Sequence, residues 1–133
     1  MQHCPCGTGK KYLDCCGLFI RGHKRPTTPE VLMRSRYSAY TQNRIEYIAR
    51  TMKAPANHNF DMEAARQWAK SVAWIKLEVL HTSIAGAQGW VEFIAYFKEQ
   101  GKLKSMHELS EFSLQEGEWY YVDGKQIDSL NRG

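Results

Sequence analysis

All four cysteines of this 133-residue chain lie between positions 4 and 16, as the pairs Cys4-Pro5-Cys6 and Cys15-Cys16. Disulfides explain this crowding poorly, because pairing within either couple would close a small strained ring that constrains little of the chain. The spacing also differs from the Cys-x-x-Cys pair of redox proteins. Metal ligation is therefore the favoured interpretation, with four cysteines that bind no metal as the alternative.

Four soft sulfur ligands are typical of a closed tetrahedral zinc site. His3 and His23 could each replace a thiolate, but a four-sulfur set needs neither. A closed site leaves no open coordination position, so the sequence predicts a structural zinc ion rather than a catalytic one. The predicted ligands are Cys4, Cys6, Cys15 and Cys16.

The segment between the two cysteine pairs predicts a compact knuckle. Gly7 and Gly9 allow the chain to turn back through positive φ without a Cβ clash. Residues 10–14 then predict one short helical turn that delivers the second cysteine pair, with Gly17 as its terminator.

Several stretches of the chain resemble known families. The segment from Cys4 to Gly17 is similar to the SEC-C motif, the zinc-binding tail of the preprotein translocase ATPase SecA, although SecA usually has His where this chain has Cys16. Five further stretches resemble the YchJ family, namely Thr28–Tyr40, Leu77–Leu80, Val91–Phe93, His107–Phe112 and Trp119–Gly124. That resemblance implies a SEC-C-like zinc motif over residues 1–22 and a nuclear-transport-factor-2-like domain over residues 23–133, but no particular activity.

Most of the net charge of +4 belongs to the first thirty residues, where five basic side chains stand against Asp14 and Glu30. Four thiolates with one divalent zinc would lower that local charge by two, which disfavours strong capture of nucleic acid. The leading hypothesis is a non-catalytic adaptor that contacts a protein or ribosomal partner, as the SecA resemblance also suggests. The predicted partner-binding residues are Lys10, Lys11, Arg21, Lys24 and Arg25.

The sequence of the remaining chain predicts an α+β domain in which helices fill the concave face of a curved antiparallel sheet. We call this arrangement of sheet and helices the cone. Residues 22–28 lack apolar periodicity and predict a linker about which the motif could pivot. Apolar spacing predicts helices over residues 29–42, 45–52 and 61–70, the first capped by Thr28 and the third by Asp61. Alternation predicts strands at 73–79, 90–99, 103–114 and 118–122, and a last short strand at 125–127 after a turn at Asp123-Gly124.

The competing function is a small-molecule-binding protein or enzyme that uses the cavity of this cone. If Gln100-Gly101-Lys102 forms a three-residue hairpin loop, Ala95 faces His107, which then points into the apolar face as a proton carrier. A shift of one residue would reverse that direction, and a histidine satisfied within the core is the plainer alternative. The candidate pocket residues are Arg36, Tyr40, His107 and Glu111, and no residue is assigned as catalytic.

Two further expectations concern association and location. Trp74, Trp90 and Phe112 alternate away from the predicted apolar face, which would suit a homodimer interface on the outer side of the sheet. No apolar run approaches the length of about 18 residues that crosses a bilayer, and the N-terminus has no signal-peptide pattern. We therefore expect a cytoplasmic protein without a membrane partner.

Overall fold

The computed structural model describes residues 3–127 and confirms the predicted α+β fold, with helices packed on one face of a four-stranded antiparallel sheet. None of the described helices is long and apolar enough to cross a bilayer. After a short 3-10 helix at Tyr12–Asp14, the helices are α1 (Cys16–Ile20), α2 (Pro29–Thr41), α3 (Ile45–Arg50) and α4 (Met62–Ser71). The strands are β1 (Val72–Ala85), β2 (Gln88–Glu99), β3 (Lys102–Gln115) and β4 (Glu118–Gln126).

Side-chain caps begin the two longer helices where the sequence predicts them. The hydroxyl of Thr28 accepts a hydrogen bond from the backbone N–H of Val31 at 3.1 Å, and Pro29 occupies the first helical position. A carboxylate oxygen of Asp61 accepts from the N–H of Ala64, also at 3.1 Å. Such caps satisfy N–H groups that the first helical turn cannot pair internally. Both predicted helix starts are confirmed.

The four strands pair in chain order, so each hydrogen-bonds with the strand that follows it. A bulge between Trp74 and Lys76 puts an extra residue into β1, and Trp74 therefore shares the concave face with Leu77. Trp74 lies among the helices rather than on the outer surface. The alternation of inward and outward side chains predicted from Ala73 onward is wrong at this point, because a strict two-residue period does not anticipate a bulge.

The connection between β2 and β3 has two residues, not the predicted three. Gln100 and Gly101 both adopt positive φ, at 55° and 79°, as a type I′ hairpin turn requires. Ala95 consequently pairs with Met106, and His107 pairs with Ile94. A shift of one position exchanges the faces of every side chain along β3.

Strand β4 runs without interruption through Asp123 and Gly124, so the predicted turn and separate last strand are wrong. The pairing of β3 with β4 shifts between Glu111, which pairs with Asp123, and Phe112, which pairs with Tyr121. Strand β4 therefore has one extra residue, Val122, at this point. Phe112 is fully buried in the core. Trp74 also lies among the helices, so the predicted outward direction of Trp74 and Phe112 is wrong, and of the three residues only Trp90 lies outside the core clusters. A homodimer stays a prediction.

The cysteine-rich segment packs into the main body of the protein. Cys4, Cys6 and Cys16 belong to one buried apolar cluster with Ile45 and Ile48 of α3. The predicted pivot at residues 22–28 is therefore wrong, because free rotation would expose this shared core. The domain boundary near residue 22 stays a prediction, and residues 128–133 of the second predicted unit lie outside the described part.

Candidate metal centre and cone cavity

The sulfur atoms of the four cysteines all lie within 4.8 Å of one another. Three of the thiols are buried, and that of Cys15 is half-buried. The sulfurs of Cys6 and Cys15 are 3.7 Å apart, close to the separation of about 3.8 Å that Zn–S bonds of about 2.3 Å give in a tetrahedral site. This thiol cluster, Cys4, Cys6, Cys15 and Cys16, is a donor set of the kind that binds a metal ion, and it includes neither His3 nor His23.

Backbone hydrogen bonds bring the two cysteine pairs together. The N–H of Cys4 donates to the carbonyl oxygen of Lys10 at 2.8 Å, which closes the first loop. The N–H of Cys15 donates to the carbonyl oxygen of Tyr12 at 3.0 Å, so the 3-10 helix delivers the second pair as predicted. The cluster therefore rests on local backbone geometry that the sequence anticipates.

The predicted role of Gly17 is wrong, since this residue lies inside α1 rather than at the end of a helix. A Cβ at Gly17 would come within 2.8 Å of the carbonyl oxygen of Tyr12, so this close approach requires glycine. Helix α1 ends at Ile20, and the glycine that follows its C-cap is Gly22, whose φ is +82° and whose N–H donates to the carbonyl oxygen of Phe19 at 3.0 Å.

Contacts from α2 and α3 fix the thiol cluster to the body of the protein. The Nη1 of Arg34 donates to the carbonyl oxygen of Cys6 at 2.6 Å. The sulfur of Cys4 lies 3.5 Å from the hydroxyl of Ser38. The Nη2 of Arg50 donates to the carbonyl oxygen of Ile20 at the end of α1, at 3.2 Å.

The crowded sulfurs favour at least one thiolate. Hydrogen bonding to the thiols of Cys16 and Cys6 holds the pKa of Cys4 well below its usual range, and the same contact with Cys4 raises the pKa of Cys16. A buried negative charge surrounded by three further sulfurs favours a cation at the centre.

The five predicted partner-binding residues are all exposed. Lys24 and Arg25 line a cavity of about 350 Å³ at the junction between the cysteine-rich segment and β4, and Lys10, Lys11 and Arg21 do not. We call this cavity the junction groove; its other lining includes Phe19, Arg50, Trp119 and Tyr120. The Nη1 of Arg25 lies 2.8 Å from the carboxylate of Glu118, which keeps this exposed side chain beside the groove.

A larger cavity of about 460 Å³, the cone cavity, lies between α2 and the concave face of the sheet. Of the four candidate pocket residues, Arg36 and Tyr40 line it, whereas His107 and Glu111 do not. Because of the one-residue register shift, both lie on the outer face. There the Nε2 of His107 is 2.7 Å from a carboxylate oxygen of Glu92, and Glu111 accepts from Gln88 at 3.5 Å. The hypothesis that His107 carries protons inside the cone is therefore wrong.

Glu108, rather than the predicted His107, lines the cone cavity. One oxygen of its carboxylate accepts from the hydroxyls of Ser110, at 2.6 Å, and Tyr121, at 3.1 Å. Burial and this carboxylate raise the pKa of Tyr121. The only sequence signal for Glu108 is its alternation with Met106 and Ser110, which assumes the correct register.

Arg36 is 8% exposed and brings a positive charge to the wall of the cone cavity. Its Nη1 donates to the carbonyl oxygen of Ile48 at 2.9 Å and to the hydroxyl of Thr51 at 2.7 Å. The guanidinium carbon lies 4.5 Å from the ring centroid of Tyr121. Burial lowers the pKa of Arg36, but an arginine stays protonated in proteins, so the charge persists.

Comparisons with known proteins agree with this geometry. A family model described as the YchJ middle NTF2-like domain matches residues 28–124. The chain belongs to the YchJ family. A curated YchJ relative, the UPF0225 protein GSU1048 of Geobacter sulfurreducens, is 43% identical over 127 residues, which cover 93% of this chain and 79% of that protein.

Two solved structures extend the YchJ likeness to the cysteine-rich segment. The solution structure of RPA3114, a SEC-C motif containing protein from Rhodopseudomonas palustris, is 40% identical with a TM-score of 0.87, and the match covers 94% of this chain and 98% of that one. The crystal structure of a SEC-C motif containing protein from Psychrobacter arcticus is 33% identical with a TM-score of 0.82, covering 97% and 85%. The resemblance stated from the sequence to the YchJ family is confirmed.

Proposed function

We propose that this YchJ protein is a non-catalytic adaptor of the reducing cytoplasm, in which a zinc ion bound by Cys4, Cys6, Cys15 and Cys16 shapes a surface for an acidic partner. The observation that carries the proposal is the junction groove, where Lys24, Arg25 and Arg50 meet aromatic side chains. The cysteine-rich segment and β4 both contribute to this groove. A partner bound in the groove would therefore require the cysteine-rich segment to be packed beside β4.

Zinc is the metal that best suits the thiol cluster. Four sulfur donors favour zinc over magnesium or calcium, which prefer oxygen ligands. The four cysteines would hold the ion without an open coordination position, and three of them are buried. The ion would then act by fixing the backbone between Cys4 and Cys16, and the adjoining helix α1 supplies Phe19 to the groove.

The lining of the junction groove suits an acidic segment. Three cations stand against one carboxylate, that of Glu118, so the groove keeps a positive excess. Aromatic and arginine side chains are the residues that most often carry binding energy at protein interfaces. Because Lys24 and Arg25 are exposed, their attraction for an acidic partner should weaken as salt rises.

The test compares two charge-matched double variants of tagged, zinc-loaded protein. Lys24→Gln/Arg25→Gln removes two cations from the groove, whereas Lys98→Gln/Lys102→Gln removes two exposed cations from the hairpin between β2 and β3. We expect the first variant to lose partners that wild type captures from cell extract at low salt, and the second to keep them. Equal capture by both variants would contradict the proposal. Co-sedimentation with purified ribosomes separates a ribosomal partner from a free protein.

A further inference from the structure

The cone cavity has the size and composition of a small-molecule site. Its volume of about 460 Å³ falls within the range of about 300–1,000 Å³ that is usual for ligand pockets. Helix α2 lines it with Tyr37 and Tyr40, and Trp68 of α4 and Phe93 of β2 add further aromatic surface. An apolar or aromatic ligand body would be enclosed by side chains of similar polarity.

Arg36 is a charged group in this wall whose hydrogen-bonding capacity is incompletely used, and the indole Nε1–H of Trp74, which also lines the cavity, is unpaired as well. Both N–H bonds of Nη1 have acceptors, the carbonyl of Ile48 and the hydroxyl of Thr51. Within residues 3–127, the Nε and Nη2 of Arg36 have no hydrogen-bond partner, and neither atom is completely enclosed by the protein. A guanidinium has five N–H donors, so three remain on a side chain that is 8% exposed and lines the cavity.

No carboxylate neutralises Arg36 by direct contact in the described part of the chain, where every ion pair within 4.0 Å involves other residues. The guanidinium is instead held by Ile48 and Thr51 and stacked on the ring of Tyr121. These contacts fix its orientation without cancelling its charge. A buried cation of this kind is stabilised when an anion binds beside it.

Two carboxylates line the cavity, those of Glu108 and Asp123, and each accepts hydrogen bonds within the protein, Asp123 from the N–H of Gly124 at 2.9 Å. Glu108 accepts from Ser110 and Tyr121 through one oxygen and from Gln126, at 3.3 Å, through the other. The backbone of Gly124 packs directly against the carboxylate of Glu108 and the hydroxyl of Tyr121. A Cβ at this position would overlap both groups. Among the described lining residues Arg36 is the one cation, and its three unused N–H groups are charged donors left for a ligand.

From this arrangement we propose that the cone cavity binds a small monocarboxylate with an aromatic or other apolar body, its carboxylate paired with Arg36. A planar carboxylate matches the forked donors of a guanidinium. A phosphate dianion fits less well, because the lining supplies one cation and also holds the carboxylates of Glu108 and Asp123. A cationic ligand would meet the charge of Arg36 and a Glu108 whose oxygens are already hydrogen-bonded.

The probes for testing this site are benzoate, 3-phenylpropionate and indole-3-propionate, each with its neutral amide and its matching primary amine. Titration calorimetry and ligand-detected NMR on zinc-loaded wild type measure binding up to millimolar concentration. We expect at least one carboxylate to bind about tenfold or more tightly than its amide, since a charge-assisted hydrogen bond is worth at least that ratio. Binding of none of the carboxylates, equal binding of acid and amide, or preference for the amine overturns the proposal.

Two variants locate the binding. Arg36→Met should reduce the preference for acid over amide to near one, whereas a purely structural defect would weaken both probes alike. Ala95→Phe places a ring in the cavity from the middle of β2 and should abolish binding with Arg36 intact. Lys98→Gln, exposed on the same strand, is the matched control. If Arg36→Met does not fold, the wild-type ratio and Ala95→Phe decide, and acid binding that survives Ala95→Phe overturns the proposed location.

Discussion

Arg34 of α2 donates a hydrogen bond to the backbone carbonyl oxygen of Cys6 across 28 positions of sequence, with an Nη1–oxygen distance of 2.6 Å. The Nε of the same side chain is 3.0 Å from the carboxylate of Glu30, one turn earlier on the helix. Helix α2 thus holds the loop that carries Cys4 and Cys6 on one side, while Arg36 and Tyr40 line the cone cavity from another. The thiol cluster and the cavity share this helix as their support.

The first prediction concerns Arg34. Replacing it with Met should lower the free energy of unfolding by about 1–3 kcal/mol, because a hydrogen bond from a charged group to a half-buried carbonyl is lost. The matched variant Arg44→Met removes only an exposed ion pair with Glu46 and should cost less than about 1 kcal/mol. Urea unfolding measures both values, and a chelator dye should take zinc faster from Arg34→Met. Indistinguishable zinc-release rates for the two variants would contradict the anchoring role.

Local signals are what made parts of this fold predictable from the sequence. The caps at Thr28 and Asp61 and the cysteine spacing each involve residues a few positions apart, so they need no knowledge of tertiary structure. The strand register depends instead on whether the turn at Gln100 has two residues or three, and this single choice assigns a face to every side chain of β3.

The same contrast between local signals and strand register applies to the residues of the candidate site. The start and spacing of α2 are clear in the sequence and place Arg36 toward the sheet, whereas the three-residue turn assumed for the hairpin puts His107 on the wrong face. Glu108 could not be identified without the turn geometry. The close packing at Gly17 and Gly124 was also beyond the sequence, because it depends on the exact path of the backbone past Tyr12 and Tyr121.

The second prediction concerns the proposed zinc ion. Chelation of zinc from the folded protein should lower the thermal midpoint by about 10 °C or more, because a ligand present at about 1,000 times its Kd contributes about 4 kcal/mol to a domain of this size. Cys4, Cys6 and Cys16 are buried with Ile48, so the loss should spread to α3 rather than stay at the motif. Hydrogen exchange of the Ile48 amide follows this effect. Unchanged protection there after chelation would show that the motif is energetically separate.

The third prediction tests the packing around Glu108. Gly124→Ala should destabilise the fold by about 1–3 kcal/mol, since its Cβ would overlap the hydroxyl of Tyr121. Tyr121→Phe removes that hydroxyl, so the double variant should be more stable than the sum of the single effects predicts. Urea denaturation of the four proteins gives the coupling free energy. Simple additivity would mean that the two groups do not meet as described.

The fourth prediction concerns alkaline pH, where buried tyrosines make the fold vulnerable. Burial raises the pKa of Tyr37 to about 12, and burial also raises the pKa of Tyr40, Tyr47 and Tyr121. Unfolded tyrosines ionise near pH 10, so above that pH the unfolded chain binds fewer protons than the folded one. Stability should therefore be fully present below pH 10 and should fall as pH rises toward 12, by up to about 1.4 kcal/mol per pH unit for each such tyrosine.

Urea unfolding between pH 8 and pH 12, with zinc content checked at each point, measures this slope. Tyr37→Phe removes one ionising group whose pKa is raised by burial, and its ring can occupy the same buried position beside Trp74, where the two ring centroids are 5.7 Å apart. Stability of the variant should thus decline less steeply above pH 10 than that of wild type, whatever the substitution costs at pH 8. Parallel curves would mean that the Tyr37 hydroxyl reaches water in the folded protein, and that this side of the cone is more open than the contacts of α2 with the sheet indicate.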